Sequence, residues 1–169
     1  SGAPHIQEIL DYEGAHTVAA IILETVTGTN GIIIPPQGYM QGVRALCDKY
    51  GIVMIADEVM SGFGRVGEWF AWQKYGFENA PDMMTLAKGI TGAHVPLGAV
   101  VVNQRVADYF DDHLLESGLT YSGHPLACAA ALAVLGAGLA EGTLAAVTIV
   151  GEAGVGKSRL MYEFERWAE

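Results

Sequence analysis

Two side chains of opposite charge each follow an apolar stretch of the sequence, and their types suit amine and proton chemistry. Asp57 directly follows the stretch 53–56, and Lys88 comes 31 positions later, just after the stretch 83–86. Both stretches have the length of buried strands, and a carboxylate buried there is costly without a partner. The spacing alone is compatible with a structural ion pair, with a lysine in solvent, and with a catalytic pair.

A catalytic pair of this kind would suit pyridoxal phosphate, a cofactor that needs both groups. A lysine amine carries the cofactor as a Schiff base, and an acid keeps its pyridine nitrogen protonated. The protonated ring withdraws electrons from the amine-bearing carbon of the substrate, and the released lysine moves the proton between that carbon and the C4′ carbon of the cofactor. The cofactor also needs a phosphate grip made of hydroxyls, backbone N–H groups and helix N-termini.

The elements that must position Asp57 and Lys88 alternate between strand and helix patterns. Strands are predicted at 18–23, 52–56, 83–86 and 97–102, and helices at 4–14, 39–50, 68–75, 105–112 and 125–135. This alternation predicts an α/β fold with a mainly parallel sheet and covering helices, and the continuous apolar runs predict strands buried on both faces. Because chemistry gathers at the carboxyl ends of parallel strands, we expect Asp57 and Lys88 at one edge of the sheet.

Ordered blocks between residues 18 and 135 resemble the central part of class III (subgroup II, ω-type) aminotransferases of fold type I. These blocks are ILETV (22–26), PPQGY (35–39), IADEV with GFGRVG (55–59 and 62–67), PDMMTLAKG (81–89), PLGA (96–99) and GLTYSGHPLA (118–127). The resemblance implies that residues 1–138 form part of the large, cofactor-binding domain of that fold.

The resemblance also implies roles for individual residues. Lys88 would be the Schiff-base lysine, and Asp57 would pair with the pyridinium nitrogen. Val59 would pack on one face of the ring. Thr120 would reach the cofactor phosphate of the partner subunit in a homodimer. Glu24 would lie near the substrate pocket.

The implied activity is transfer of an amino group from an ω-amine or amino acid to a 2-oxo acid such as pyruvate. The block at 120–125 is most similar to members that act on taurine or β-alanine. The family often has glutamine after the valine, and Met60 stands there instead, so it cannot donate a hydrogen bond to the ring hydroxyl. Because family members are much longer and the chain lacks an initial methionine, we expect a piece cut from mid-chain that binds the cofactor weakly and is inactive alone.

The end of the chain carries a second motif, the P-loop pattern GxxxxGK[ST], after an apolar run at 146–150 and before a predicted helix. In a true P-loop, backbone N–H groups wrap the phosphates of ATP, the lysine meets the outer phosphates and the serine binds Mg²⁺. The residues concerned are Gly151, Gly154, Gly156, Lys157 and Ser158.

We therefore predict a second domain at 139–169, a P-loop strand–loop–helix fragment that resembles the start of ATPase domains of signalling regulators. ATP binding is the alternative function, and a catalytically inactive interaction module is a third. Against an ATPase as the main function, the strand ending at Asp57 would have to carry magnesium, yet it precedes the P-loop rather than following it.

Charge and composition exclude several other classes. The formal net charge of −10 argues against nucleic acid and against an anionic membrane surface as partners. No apolar run reaches the length of a membrane-spanning helix. Cys47 and Cys128 fit neither a zinc spacing nor a disulfide framework, which predicts a reducing, cytoplasmic location. The resemblance implies small-molecule amines and 2-oxo acids as partners, and no metal site is expected.

Overall fold

The computed structural model describes residues 3–75 and 80–140, which belong to two compact units that divide between Thr85 and Leu86. In the first unit the elements are α1 (Pro4–Glu13), β1 (Ala20–Glu24), α2 (Tyr39–Tyr50), β2 (Val53–Asp57), α3 (Ala71–Lys74) and β3 (Met83–Leu86), whose last residue enters the second unit. In the second they are β4 (Ala99–Val102), α4 (Gln104–Ala107), α5 (Tyr109–Asp112) and α6 (Pro125–Ala140).

The strands of the first unit form a parallel sheet in the order β1-β2-β3. Helix α2 makes the crossover from β1 to β2 that a parallel pair requires. The register pairs Glu24 with Asp57, and Asp57 with Thr85. Since paired residues of a parallel ladder leave the sheet on the same face, these three polar side chains form one row across the carboxyl end of the sheet.

The core of the first unit lies between α1, α2 and β2. In α2 the buried residues Met40, Val43 and Cys47 recur at three- and four-residue spacing, so one face of the helix is apolar. They pack with Leu10 of α1 and with Met54 of β2, each large apolar side chain contributing about 1.5–3 kcal/mol on full burial. Helix α2 ends where Gly51 adopts a left-handed conformation, with φ of 69°.

Burial of the strands differs from the sequence prediction. In β2, Met54 and Ala56 are fully buried, whereas the residues that alternate with them, Val53, Ile55 and Asp57, are only half-buried. In β1, Ile22 is 60% exposed. The prediction that these two strands are buried on both faces is therefore wrong, because the helices α1 and α2 cover one face of the sheet more completely than the other is covered.

The predicted helix at 68–75 is reduced to α3, because the residues before it form a loop with its own contacts. Phe63 N–H donates to the carbonyl of Trp69 at 2.6 Å. The ring of Phe63 also meets the rings of Trp69 and Phe70 edge to face. A helix through residues 68–70 would break these contacts.

In the second unit, the predicted helix at 105–112 is split into α4 and α5. Asn103 caps α4 by accepting a hydrogen bond from the Val106 N–H at 3.1 Å, and each helix has four residues. Helix α6 extends past the predicted end at residue 135 to Ala140 and passes through the predicted boundary between residues 138 and 139. Of the P-loop domain predicted at 139–169, residues 141–169 lie outside the described residues. None of the helices in the described ranges has the length and hydropathy that a membrane span needs.

Candidate active site

Asp57 occupies the carboxyl end of β2, as predicted. Its Oδ1 atom accepts a hydrogen bond from the Val59 N–H at 3.0 Å, while its Oδ2 atom has no hydrogen-bond partner among the described residues. Asp57 is half-buried and not deeply buried as the sequence suggested. The carboxylate is therefore oriented by the backbone and keeps one acceptor oxygen without a hydrogen bond from the described residues.

The fully buried carboxylate is that of the next residue, Glu58, which the sequence prediction missed. Its Oε1 accepts hydrogen bonds from the Trp72 N–H at 2.9 Å and the Thr25 hydroxyl at 3.3 Å. Its Oε2 accepts from the Ala71 N–H at 3.0 Å and the Ser61 hydroxyl at 2.6 Å. The side chain thus ties the end of β1 and the start of α3 to the end of β2.

The continuous apolar run at 53–56 does not reveal the burial of Glu58 in the sequence, but the burial pattern of β2 in the structure accounts for it. Buried and half-buried residues alternate along β2, and the buried ones are Met54 and Ala56. Continuing this two-residue period places position 58 on the buried face and position 57 on the other.

Glu24, at the carboxyl end of β1, closes the turn that follows the strand. Its Oε2 accepts a hydrogen bond from the Gly28 N–H at 2.7 Å. Gly28 leaves no room for a side chain, since a Cβ there would lie 2.5 Å from Cγ of Met60. Glu24 and Met60 therefore meet around one glycine beside Asp57. The predicted contact of Glu24 with substrate remains a prediction.

Thr85 completes the polar row, and it too was missed in the sequence. Its Oγ1 is buried and has no hydrogen-bond partner in the part of the chain that the structure describes. An unpaired buried hydroxyl costs free energy, so the neighbourhood of Asp57 contains a polar group suited to a ligand.

Lys88 begins a 3-10 helix, Lys88–Thr91, in the second unit. The residue is exposed, and its backbone is left-handed, with φ of 44°. Its carbonyl accepts a hydrogen bond from the Ala93 N–H at 3.0 Å, and the Thr91 hydroxyl donates to the Val95 carbonyl at 2.7 Å. This conformation is costly for a residue with a Cβ, and such strain is common at functional sites.

Thr120 also lies in the second unit, exposed in the segment before α6. The P-loop residues Gly151, Gly154, Gly156, Lys157 and Ser158 lie outside the described residues. The structure thus brings Glu24, Asp57, Val59 and Thr85 together in the first unit, while Lys88 and Thr120 are described within the second.

These observations agree with what comparison with known proteins shows. The family model "Aminotransferase class-III" matches residues 3–153. The chain belongs to the class III aminotransferases, and its α/β architecture with a parallel sheet is that of the fold type I transaminases.

Three relatives illustrate the similarity. The structure of taurine:2-oxoglutarate aminotransferase from Bifidobacterium kashiwanohense, in complex with PLP and glutamate, is 59% identical with a TM-score of 0.77, and the match covers 82% of this chain and 31% of that one. The omega-aminotransferase of Caulobacter vibrioides is 46% identical over 138 residues, 79% of this chain and 31% of the relative. The beta-alanine–pyruvate aminotransferase of Pseudomonas aeruginosa is 39% identical over 140 residues, again 79% and 31%.

This chain therefore spans about a third of the length of these relatives. The family match also runs past the predicted domain boundary at residues 138–139, as far as residue 153. The relatives described are all aminotransferases, and they give the P-loop interpretation no support.

Proposed function

We propose that this chain belongs to an enzyme that moves an amino group from an ω-amine or amino acid of the taurine or β-alanine type to a 2-oxo acid such as pyruvate, using pyridoxal phosphate. The observation that carries the proposal is the carboxylate of Asp57, which is oriented by the Val59 N–H and keeps one oxygen available at the carboxyl end of a parallel sheet. Membership of the class III family supports it.

The residues present fit the cofactor by their chemistry. Asp57 offers an anionic acceptor, which is what a protonated pyridine nitrogen requires. The buried, unpaired hydroxyl of Thr85 lies beside Asp57 in the sheet and has capacity for one more polar partner. Lys88 supplies an exposed primary amine. Met60 cannot donate a hydrogen bond to a ring hydroxyl, so this contact would need another residue.

When bound, pyridoxal phosphate withdraws electrons from the carbon that bears the substrate's amine, which makes the loss of a proton there feasible. Lys88 Nζ would hold the cofactor and, once the substrate's amine has displaced it, move the proton from that carbon. Asp57 would keep the proton on the pyridine nitrogen, and Val59 would pack against the ring. Thr120 would contact the phosphate bound by the partner subunit of a homodimer.

The substrate class rests on similarity and remains part of the proposal. The relative from Bifidobacterium is a taurine:2-oxoglutarate aminotransferase, and one from Pseudomonas is a beta-alanine–pyruvate aminotransferase. Taurine and β-alanine, the amines in these two names, each carry a primary amine at one end of a short chain and an acid group at the other. Glu24 is the residue for which we propose a place near that substrate.

The test is selective trapping of the cofactor on Lys88. Because we expect this chain to bind the cofactor weakly, it is incubated with excess pyridoxal phosphate and reduced with borohydride, which converts even a sparsely populated Schiff base into a stable adduct. The labelled lysines are then mapped by mass spectrometry. We expect Lys88 to be labelled in preference to Lys49, Lys74 and Lys157, the other lysines. Lys88→Ala should abolish the selective label, and Lys49→Ala, an exposed matched control, should not. Equal labelling of all lysines would contradict the proposal.

The same assay tests the substrate class. Taurine or β-alanine should lower the label on Lys88 more than an equal concentration of butylamine, which lacks the distal acid. If butylamine lowers the label equally, the chain has no preference for acidic amines, and this part of the proposal fails.

A further inference from the structure

We propose that Glu58 is a positioning residue of the active site, which fixes the backbone between Asp57 and Val59 and so sets the direction of the Asp57 carboxylate. The inference depends on the proposed function only for what Asp57 contacts. It concerns a carboxylate that touches no part of the cofactor in the roles proposed above, yet is buried beside the residue that does.

The carboxylate of Glu58 is fully satisfied. A carboxylate has about four lone-pair sites for hydrogen bonds, and four donors from four different residues approach it. Two are backbone N–H groups, and two are hydroxyls. An unpaired charge at a fully buried position would be strongly destabilising, so the loop residues and Glu58 hold one another in place.

The backbone of Glu58 is held as firmly as its side chain. Its N–H donates to the carbonyl of Thr85 at 3.0 Å, which extends the pairing of β2 with β3 by one residue. Its carbonyl accepts from the Gly62 N–H at 2.9 Å. A Cβ on Gly62 would lie 2.8 Å from this carbonyl oxygen, so the chain passes it closely. Every polar group of Glu58 is thus bonded.

This anchoring has a direct effect on Asp57, because the hydrogen bond that orients Asp57 comes from the far side of Glu58. Asp57 Oδ1 accepts from the N–H of Val59, so the orientation of the carboxylate depends on the path of the chain through residue 58. A change in the position of Glu58 would move Val59 and release Asp57. The hydrogen bonds of Glu58, on the buried face of the strand end, therefore determine the orientation of Asp57 on the half-buried face.

The variant Glu58→Gln tests the role of Glu58 most directly, because glutamine keeps the shape of the side chain and removes its charge. Each oxygen of Glu58 accepts from one backbone N–H and one hydroxyl. Whichever way the amide of glutamine is turned, its NH2 group faces a backbone N–H, and two donors oppose each other. Glu68→Gln is the matched control, since Glu68 is exposed and the chemical change is the same.

The experiment measures amide hydrogen exchange in the 169-residue chain without cofactor. Ile52, whose N–H donates to Cys47, serves as a reference in the same unit. In Glu58→Gln we expect exchange at Val59, Ala71 and Trp72 to rise by about tenfold or more relative to Ile52, because local opening adds to any global change. Glu68→Gln should leave these ratios unchanged.

An equal rise in the exchange rate at all four amides, the reference Ile52 included, would overturn the proposal. It would mean that Glu58 only stabilises the unit as a whole. Unchanged ratios would overturn it as well. If Glu58→Gln does not fold, Ser61→Ala removes the shortest of the four hydrogen bonds, at 2.6 Å, and keeps the carboxylate. Accelerated exchange at Val59 relative to Ile52 is then the expected result, and no acceleration overturns the proposal.

Trapping of pyridoxal phosphate separates this inference from the proposed function. If wild-type Lys88 is labelled selectively, Glu58→Gln should reduce that label and Glu68→Gln should not; an undiminished label in folded Glu58→Gln counts against positioning of Asp57. If wild-type Lys88 is not labelled, the proposed function fails, and the exchange ratios still decide whether Glu58 orients the strand end.

Discussion

Buried charge in the first unit is also carried by Arg44, which lies in α2 and is 6% exposed. Its guanidinium donates to Asp82 Oδ2 at 3.0 Å and contacts Asp48 Oδ1 at 2.8 Å. The same oxygen of Asp82 accepts the Met54 N–H at 2.8 Å. Burial alone would lower the pKa of Arg44, but the hydrogen bonds and charges of Asp82 and Asp48 raise it above its usual value. The ion pair therefore joins α2 to β2 and to the residue before β3.

Removal of Asp82, the buried partner of Arg44, should destabilise the protein far more than removal of Asp48, the exposed partner. Asp82→Ala leaves Arg44 and the Met54 N–H without their acceptor, so we expect a loss of about 3 kcal/mol in the free energy of unfolding. Asp48 is 50% exposed, so Asp48→Ala should cost less than about 1 kcal/mol. Urea unfolding of both variants measures the difference, and equal losses would contradict the assignment.

The two cysteines should differ in reactivity. Cys47 is fully buried in α2, and burial raises the pKa of its thiol to about 11, so at pH 8 only about one molecule in a thousand carries the reactive thiolate. Cys128 is half-buried. With a disulfide reagent at pH 8 we expect one thiol to react quickly and the second only after denaturation. Cys128→Ser should remove the fast phase; if it persists, Cys47 is accessible.

Among the elements, those with local periodicity could be predicted from the sequence. The spacing of Met40, Val43 and Cys47 predicts α2, and Gly51 marks its end. The strand β2 was predicted within one residue at each end. The loop before α3 was not predicted, because its hydrogen bonds and ring contacts depend on the packing of Phe63 against Trp69 and Phe70, which no local pattern encodes.

The candidate site likewise contains residues that were predicted from the sequence and residues that were not. Asp57 and Lys88 were predicted because they follow apolar runs and match a family motif, and their catalytic roles stay a prediction. Glu58 and Thr85 were not found, because their importance depends on what surrounds them: four donors in one case and none in the other. A buried side chain's hydrogen-bond partners are set by the tertiary fold and leave only a weak trace in the sequence.

The turn after Lys88 offers a test at the level of an element. Ala93 has φ of 61°, a left-handed conformation that favours glycine. Ala93→Gly should therefore raise the free energy of unfolding by up to about 1 kcal/mol. The same substitution at Ala45, exposed in the middle of α2, should lower it by about 0.5–1 kcal/mol. Thermal unfolding distinguishes the two; a loss of stability in Ala93→Gly would show that the methyl group packs usefully.

For the molecule as a whole, the proposed homodimer makes a measurable prediction. Around Thr120 the second unit exposes large apolar side chains, which in soluble proteins often mark a contact surface. These are Leu114, Leu119, Tyr121 and Leu126, all more than 60% exposed. We expect the sedimentation mass of the chain to rise with concentration above the 17.9 kDa of one copy.

Leu119→Asp should shift that mass toward a single copy, because it places a charge in the contact. The control is Tyr12→Asp, which changes an exposed side chain of α1 in the first unit. Equal effects of the two substitutions would count against a contact surface at residues 114–126.

The buried hydroxyl of Thr85, which has no hydrogen-bond partner among the described residues, destabilises the ligand-free protein. A ligand that forms a hydrogen bond with this hydroxyl would remove the destabilisation. Thr85→Val keeps the shape and removes the unmet polar group, so the unliganded variant should unfold about 1 kcal/mol less readily. The stabilisation that pyridoxal phosphate confers should shrink in the same variant, since binding and folding are thermodynamically linked. If the variant melts lower without ligand, the hydroxyl already has a partner, and that coupling does not exist.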